Sequence, residues 1–386
     1  MADLRRLSLL SLVVLGLATV AAGCGGDEEA EEAPPPATEA AAPCSATIAL
    51  ASPNTGDAAS IGEEITNWTT FSVDRFNEEN GTDFKLEVGD TQLDPAVAST
   101  LAQRFVSNDE VVAVLGPAAS QEVEASGPIY TRAEMATVSM SATRDSLTAG
   151  SLPTFFRVVP KDSVQGPTDA EYMLEELKAD KVVVVDDQTS YSTGLAESAQ
   201  KSLDEGGADV TRESVSQKQT DFSALIGRIP DDADVVFTPW QLPARGQVFY
   251  EQLKEQGKDV TLFGADGFFN PTDFKGEGSY VSTFAPDIRE VAEHQELVDA
   301  YKAQFGDFGT FGPPSYEAAR MVMTAISSLC DEGADVTRMA VVEQLRETEV
   351  SPSLLGESLA FDENGDVEGG RFYIYQFENG NFTFVK

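Results

Sequence analysis

From Cys44 onward, short β-branched apolar runs alternate with stretches whose apolar residues recur three and four positions apart. That alternation constrains the fold more than any other feature of the chain. Residues 47–50, 84–88 and 111–115 read as strands. Between them Ile65, Trp68, Val73 and Phe76 share one helical face, as do Val97, Leu101 and Phe105. A strand followed by a helix and another strand implies parallel pairing, because a tight turn cannot carry the chain back to a parallel neighbour. A second series opens after Gly166, with helices about 172–177, 191–203, 222–229 and 244–256 and strands 181–185, 210–214, 235–238 and 260–263. Three further helical stretches (291–305, 316–330, 339–345) precede a β-rich tail at 359–385, where residues 362–365 and 378–380 carry turn chemistry. The expected fold class is α/β with two doubly wound lobes, and 386 residues suffice for both.

The start of the chain is of a different kind. Arg5 and Arg6 precede an apolar run ending at Val20, then Ala21-Ala22-Gly23-Cys24. The run is shorter than the ~20 residues a membrane span requires, so residues 1–23 are expected to be an export signal. The Ala-Ala-Gly-Cys block resembles the lipobox of bacterial lipoproteins, which implies lipid attachment at Cys24 and an extracytoplasmic protein held to the cell membrane. Residues 24–43, acidic and rich in Ala and Pro with no large apolar side chain, are expected to form a solvated tether. With Cys24 acylated, Cys44 and Cys330 are left as a pair outside the cytosol, and a disulfide between them is expected; two separate buried thiols are the alternative.

Composition narrows the function classes. With 65 acidic against 26 basic residues the net charge is −39, which argues against a nucleic-acid partner. A single histidine, His294, and three cysteines leave little for zinc clusters, iron–sulfur chemistry or histidine relays, so no metal and no cofactor are expected. The run Asp362-Glu363-Asn364-Gly365-Asp366 has part of a calcium-loop pattern without its spacing or its terminal bidentate Glu, and reads as a turn. No enzyme is expected: Gly116-Pro117-Ala118-Ala119-Ser120 is not a nucleophile elbow, and His294 lies far along the chain.

Several blocks, in order, carry a resemblance: Thr55-Gly56 with Gly62; Leu115-Gly116-Pro117-Ala118-Ala119-Ser120; Ser139-Met140-Ser141-Ala142-Thr143; Val164-Gln165-Gly166-Pro167-Thr168; Tyr191-Ser192-Thr193-Gly194; Gly264-Ala265-Asp266-Gly267; and Tyr316-Glu317-Ala318-Ala319. Together they resemble the type I periplasmic solute-binding proteins, and within them the leucine/isoleucine/valine-binding group of branched-chain amino-acid ABC importers. The resemblance implies two Rossmann-like lobes, 44–160 plus 285–358 and 161–284 plus 359–386, joined by three hinge crossovers. It further implies an amino acid held between lobes that close over it, an ABC transporter permease as partner, and a monomer. Carboxylate-binding hydroxyls fall on Ser120 and Thr143, backbone contacts on Ser141 and Ala142, the ammonium-binding acid on Asp266 and a covering aromatic on Tyr191. The side-chain pocket falls on Ile61, Ala118, Trp240 or Gln241, and Phe311. Where branched-chain binders tend to carry aromatics, this chain has Ile61 and Gln241, so a polar or larger ligand is the alternative, as is a sensor of the same fold.

The residues make the same sense taken alone. Ser120 follows a strand and opens a helix, where free amides and a hydroxyl suit an anion. Ser141 and Thr143 follow the next strand, at the carboxyl edge where open α/β sheets bind ligands. Asp266 follows a strand of the second series, so an ammonium paired with it would be shared between the lobes.

Overall fold

The computed structural model describes residues 43–386. The export signal, Cys24 and all of the tether but its last residue lie outside the described residues. Among the described residues, no helix is long and apolar enough to cross a membrane.

The first sheet has five parallel strands in the order β2-β1-β3-β4-β5: β1 (Ser45–Ser52), β2 (Asp83–Asp90), β3 (Val111–Leu115), β4 (Ala136–Ser139) and β5 (Phe155–Arg157). Successive side chains of a strand point to opposite faces, and β1 is apolar on both. Ile48 and Leu50 join a core with Ile61 and Ile65 of α1 (Ala59–Asn80), whereas Ala49 and Ala51 join another with Leu101 and Phe105 of α2 (Pro95–Ser107). Asp94 starts α2 by accepting from the N–H groups of Ala96 and Val97, with Pro95 at the first helical position. α3 (Ser120–Arg132) packs beside α2.

After Arg157 the chain crosses to a seven-stranded sheet of order β12-β11-β10-β9-β8-β6-β7. It passes through α4 (Asp162–Glu175), β6 (Lys181–Asp186), α5 (Ser190–Glu205), β7 (Asp209–Ser214), the short α6 (Ser223–Ile226), β8 (Val235–Thr238), α7 (Pro243–Glu255), β9 (Thr261–Gly264) and β10 (Tyr280–Thr283). The alternation repeats: Val182 and Val184 face α4 and α5, while Val183 and Val185 pack with Phe222 and Phe249.

The chain then returns through α8 (Gln295–Phe305), α9 (Gly312–Asp331) and α10 (Arg338–Leu345) before closing on β11 (Tyr373–Glu378) and β12 (Asn381–Phe384). α9 lies along α1, and its Met321, Val322 and Ile326 fill the first core. Cys44, before β1, is disulfide-bonded to Cys330 at the end of α9, with Cα atoms 5.9 Å apart.

Three features differ from the expectations. The helix expected at 222–229 is a single turn, because Gly227 and Pro230 interrupt it. β10 was not expected, and β11 and β12 run antiparallel, so the second sheet is mixed. Leu359, Phe361 and Phe372 pack in the first core, so the third crossover enters the second sheet near Tyr373 rather than at residue 359.

Candidate functional site

The residues singled out in sequence gather at the carboxyl ends of the parallel strands. Ser120 follows β3, Ser141 to Thr143 follow β4, Tyr191 opens α5 after β6, Gln241 follows β8 and Asp266 follows β9. All are buried, Ser120 at 1% exposure and Thr143 at 0%.

The loop after β4 is held in place by its own bonds. Ser139 Oγ accepts from the N–H groups of Ala142 (3.0 Å) and Ser141 (3.3 Å) and donates to Pro117 O at 2.7 Å. Ser141 Oγ donates to Ala118 O at 2.7 Å, so its hydroxyl is spent on structure and its backbone is the part left to a ligand. Arg157, fully buried, donates from Nη1 to Ala142 O (3.2 Å) and Arg144 O (2.8 Å), while its Nε pairs with Asp366 Oδ1 at 2.6 Å. Lys161 also pairs with Asp366, at 2.7 Å, so that carboxylate, at the end of the calcium-like run, is engaged by two cations of the protein. A buried charge with partners on all sides fixes geometry more than it adds stability.

Ser120 is the first residue of α3, with Ala119 as its cap; the side chain of Glu122 accepts from Ala119 N at 3.1 Å. The amides of Ser120 and Gln121, in the first turn, have no intrahelical acceptor. Ser120 Oγ accepts from Arg144 N at 3.3 Å, which brings the start of α3 against the loop after β4. Thr143 Oγ1 stands beside the Asp162 carboxyl but outside hydrogen-bond geometry, so both groups are buried without a partner. An unpaired buried hydroxyl is uncommon and marks a group available to a ligand. Gly116 (φ +91°) lets this turn pass against β1, since a Cβ there would lie 2.4 Å from Ala51 O.

On the other side, Tyr191 Oη donates to Asp266 Oδ1 at 2.6 Å and Gln165 Nε2 donates to the same oxygen at 3.0 Å. Burial raises the Asp266 carboxyl to about 6 against the pull of these two donors. Burial likewise lifts Asp162 to about 7, with Asp145 and Asp266 adding to it despite Thr143 and Arg157. Tyr191 is held well above its ordinary value by burial and by Asp266. Burial, more than any charge, thus raises these acids, and a cation brought beside them would favour their ionised forms.

Contacts between the two sheets border this region. Arg144 Nη1 donates to Ser190 O and, at 3.2 Å, to Thr193 Oγ1. Gln121 Nε2 donates to Gln241 Oε1 at 3.0 Å, and Arg245 pairs with Asp57 at 2.7 Å. Gly267 lies against the Gln241 backbone, where a Cβ would be 2.4 Å from its carbonyl oxygen, so the loops after β8 and β9 pack as one. Trp240 stacks on Phe222 and donates from Nε1 to Val185 O at 2.7 Å, inside the second core; of the pair it is Gln241 that reaches the first lobe. Ile61, Ala118 and Phe311 belong to the first core, Phe311 edge-on to Phe284 at 5.9 Å.

Sequence reasoning gave no role to Asp162, Asp169, Ser282 or Arg157, and used Gln165 and Ser139 only as parts of matching blocks. A signal for three of them was present: Asp162, Gln165 and Asp169 recur three and four positions apart on a helix face that also carries buried Ala170 and Met173.

Residues 45–381 match the periplasmic binding protein family. The chain belongs to that family. Among curated relatives, this periplasmic binding protein is 27% identical over 350 residues to the Leu/Ile/Val-binding protein of Escherichia coli (strain K12), covering 88% of this chain and 93% of the relative. The branched-chain amino acid transporter substrate-binding protein LivJ of Streptococcus pneumoniae, solved with isoleucine, superposes with a TM-score of 0.79 at 25% identity, covering 89% of this chain and 99% of that one. The leucine-binding protein LivK of Thermotoga maritima superposes with a TM-score of 0.80 at 23% identity, covering 88% and 98%, a likeness of fold.

Proposed function

We propose that this periplasmic binding protein captures a free amino acid, a branched-chain one first, between its two lobes and delivers it to an ABC importer permease. The observation that carries this reading is the pairing of two half-sites. The loops after β3 and β4 offer the Ser120 and Thr143 hydroxyls with free helix amides, and the loops after β6 and β9 offer Asp266 with Tyr191. The first half suits a carboxylate and the second an ammonium. Sitting on different sheets, they meet one zwitterion only when the lobes are together, so binding favours closure about the three crossovers. Similarity to Leu/Ile/Val-binding proteins supports the substrate class.

The lobes on this reading are 44–160 plus 285–372 and 161–284 plus 373–386, a division of the tail that the packing of Leu359, Phe361 and Phe372 in the first core supports. Lipid attachment at Cys24, a tether to the membrane and a monomeric state complete the proposal. Gln121 and Gln241, meeting across the lobes, favour a second substrate reading in which the ligand side chain is polar. Calorimetry with the twenty amino acids, on protein unfolded and refolded to strip carried-over ligand, separates these readings. Heat from Leu, Ile or Val supports the first, heat from polar amino acids alone the second, and none from any amino acid rejects the substrate class.

A further inference from the structure

Behind Asp266, α4 sends Gln165 and Asp169 into the core one helical turn apart. Gln165 Nε2 donates both to Asp266 Oδ1 and to Ser282 Oγ, each at 3.0 Å, and Ser282 Oγ donates to Asp169 Oδ2 at 3.0 Å. A continuous chain of bonds therefore runs from Asp169 through Ser282 and Gln165 to the oxygen that Tyr191 also holds. Gln165, Asp169 and Ser282 are all at 0% exposure. Two atoms of this chain have no partner, Gln165 Oε1 and Asp169 Oδ1. With Asp169 ionised both are acceptors, and each buried acceptor left unpaired loses the hydration it had in the unfolded chain with nothing to replace it. One proton on Asp169 Oδ1 turns the pair into a donor and an acceptor on side chains that already meet at Ser282 Oγ.

We propose that Asp169 is a neutral, proton-bearing positioning residue that fixes the Gln165 amide with its N–H groups toward Asp266, and thereby holds the carboxylate that receives the ligand's ammonium. The inference rests on the reading of Asp266 given above. Turned over, the Gln165 amide would set its carbonyl oxygen against the Asp266 carboxylate; a donor at Asp169 excludes that orientation. Charge points the same way. Asp162 and Asp169 on α4, Asp266 after β9 and Tyr191 on α5 are the titratable groups that act on one another here; β10 contributes the uncharged Ser282, while its Tyr280 packs on Tyr172 of α4. Arg157 acts on Asp162 alone and is bonded to Asp366. Burial, with the charge of Asp266 added, holds Asp169 well above the carboxylate range. A neutral Asp169 leaves the negative charge on Asp266, where an ammonium can meet it.

The test is calorimetric titration of L-isoleucine into the full-length protein and its Asp169→Asn, Asp169→Ala and Asp266→Asn variants, from neutral to alkaline pH. Asparagine is permanently neutral and keeps a donor for Gln165, so Asp169→Asn should bind within about threefold of wild type, whereas Asp169→Ala should lose about tenfold or more. Wild-type affinity should fall faster at alkaline pH than that of Asp169→Asn. An alanine variant that binds like wild type, or an asparagine variant as weak as alanine, overturns the inference. If Asp266→Asn is weak while the Asp169 variants are unchanged, only this inference fails; if Asp266→Asn binds like wild type, the ammonium site fails with it. A ligand-free readout stands beside these: the infrared difference between wild type and Asp169→Asn at neutral pH should contain a protonated-carboxyl C=O stretch, and its absence overturns the inference whichever amino acid binds.

Discussion

Tyr191 Oη donates to Asp266 Oδ1 over 2.6 Å, and Gln165 Nε2 reaches that same oxygen from α4. Two donors on one oxygen restrain the carboxylate, and on the proposed reading its other oxygen meets the ammonium. Removing the hydroxyl alone, in Tyr191→Phe, keeps the ring and loses one of the bonds that favour the ionised acid. L-Isoleucine should then dissociate faster while associating at nearly the wild-type rate, because lobe closure follows encounter. Stopped-flow fluorescence reads both constants, and comparable changes in the two would contradict that order.

Asp266→Asn removes the charge itself. Loss of a desolvated partner of this kind costs about 2–5 kcal/mol of binding, measurable by calorimetry with L-leucine or L-isoleucine. The wild-type carboxyl stands at about 6, so affinity should decline as pH falls through that value and the acid takes up a proton. The variant has no proton to take up and should lack this decline. A wild type whose affinity is unchanged on acidification through that range would show that Asp266 is not the ammonium's partner.

Glu64 accepts from the N–H groups of Gly309 (2.9 Å) and Gly312 (2.7 Å), holding the segment between α8 and α9. Burial raises its carboxyl to about 7 from 4.5, outweighing these bonds and the attraction of Arg289. For an acid raised on folding, the unfolded chain loses its proton first. The destabilisation is therefore absent below 4.5, grows as pH rises from 4.5 to 7, and is complete above, where it amounts to about 3 kcal/mol. Glu64→Gln should flatten that part of the stability curve. Urea midpoints at mildly acidic and mildly alkaline pH test it; an unchanged difference between them in the variant sinks the assignment.

The bond between Cys44 and Cys330 spans a sequence separation of 286 residues. Closing a loop of that size restricts the unfolded chain, and the chain-entropy model assigns about 6 kcal/mol to it. Replacing both cysteines with serine should lower the urea midpoint with little change in L-isoleucine affinity, since neither residue reaches the strand ends that carry the site. Equal midpoints for wild type and variant would remove the staple from the stability of the fold.

What was legible in the sequence followed burial. β1, β3 and β6 carry continuous apolar runs because helices cover both faces, and Ser120, Thr143 and Asp266 lie beyond the carboxyl ends of β3, β4 and β9. β10 escaped notice because four residues with polar Ser282 and Thr283 give no periodicity. Trp240 was an open alternative to Gln241 because adjacent residues in a loop face opposite ways, and only packing shows that the indole joins Phe222. Gln165 and Asp169 were missed as functional because a polar residue on a helix is ordinarily read as solvated; their burial comes from α5, β10 and the loop after β9 together.

The two-headed grip on one zwitterion is tested most directly with ligands that lack one head. On stripped protein, calorimetry should give saturable binding of L-leucine. Leucinamide, without the carboxylate, and 4-methylpentanoate, without the ammonium, should each bind weaker by about a hundredfold or more. Retention of leucine-like affinity by either analogue would show that Ser120 and Thr143, or Asp266, do not hold the head assigned to them.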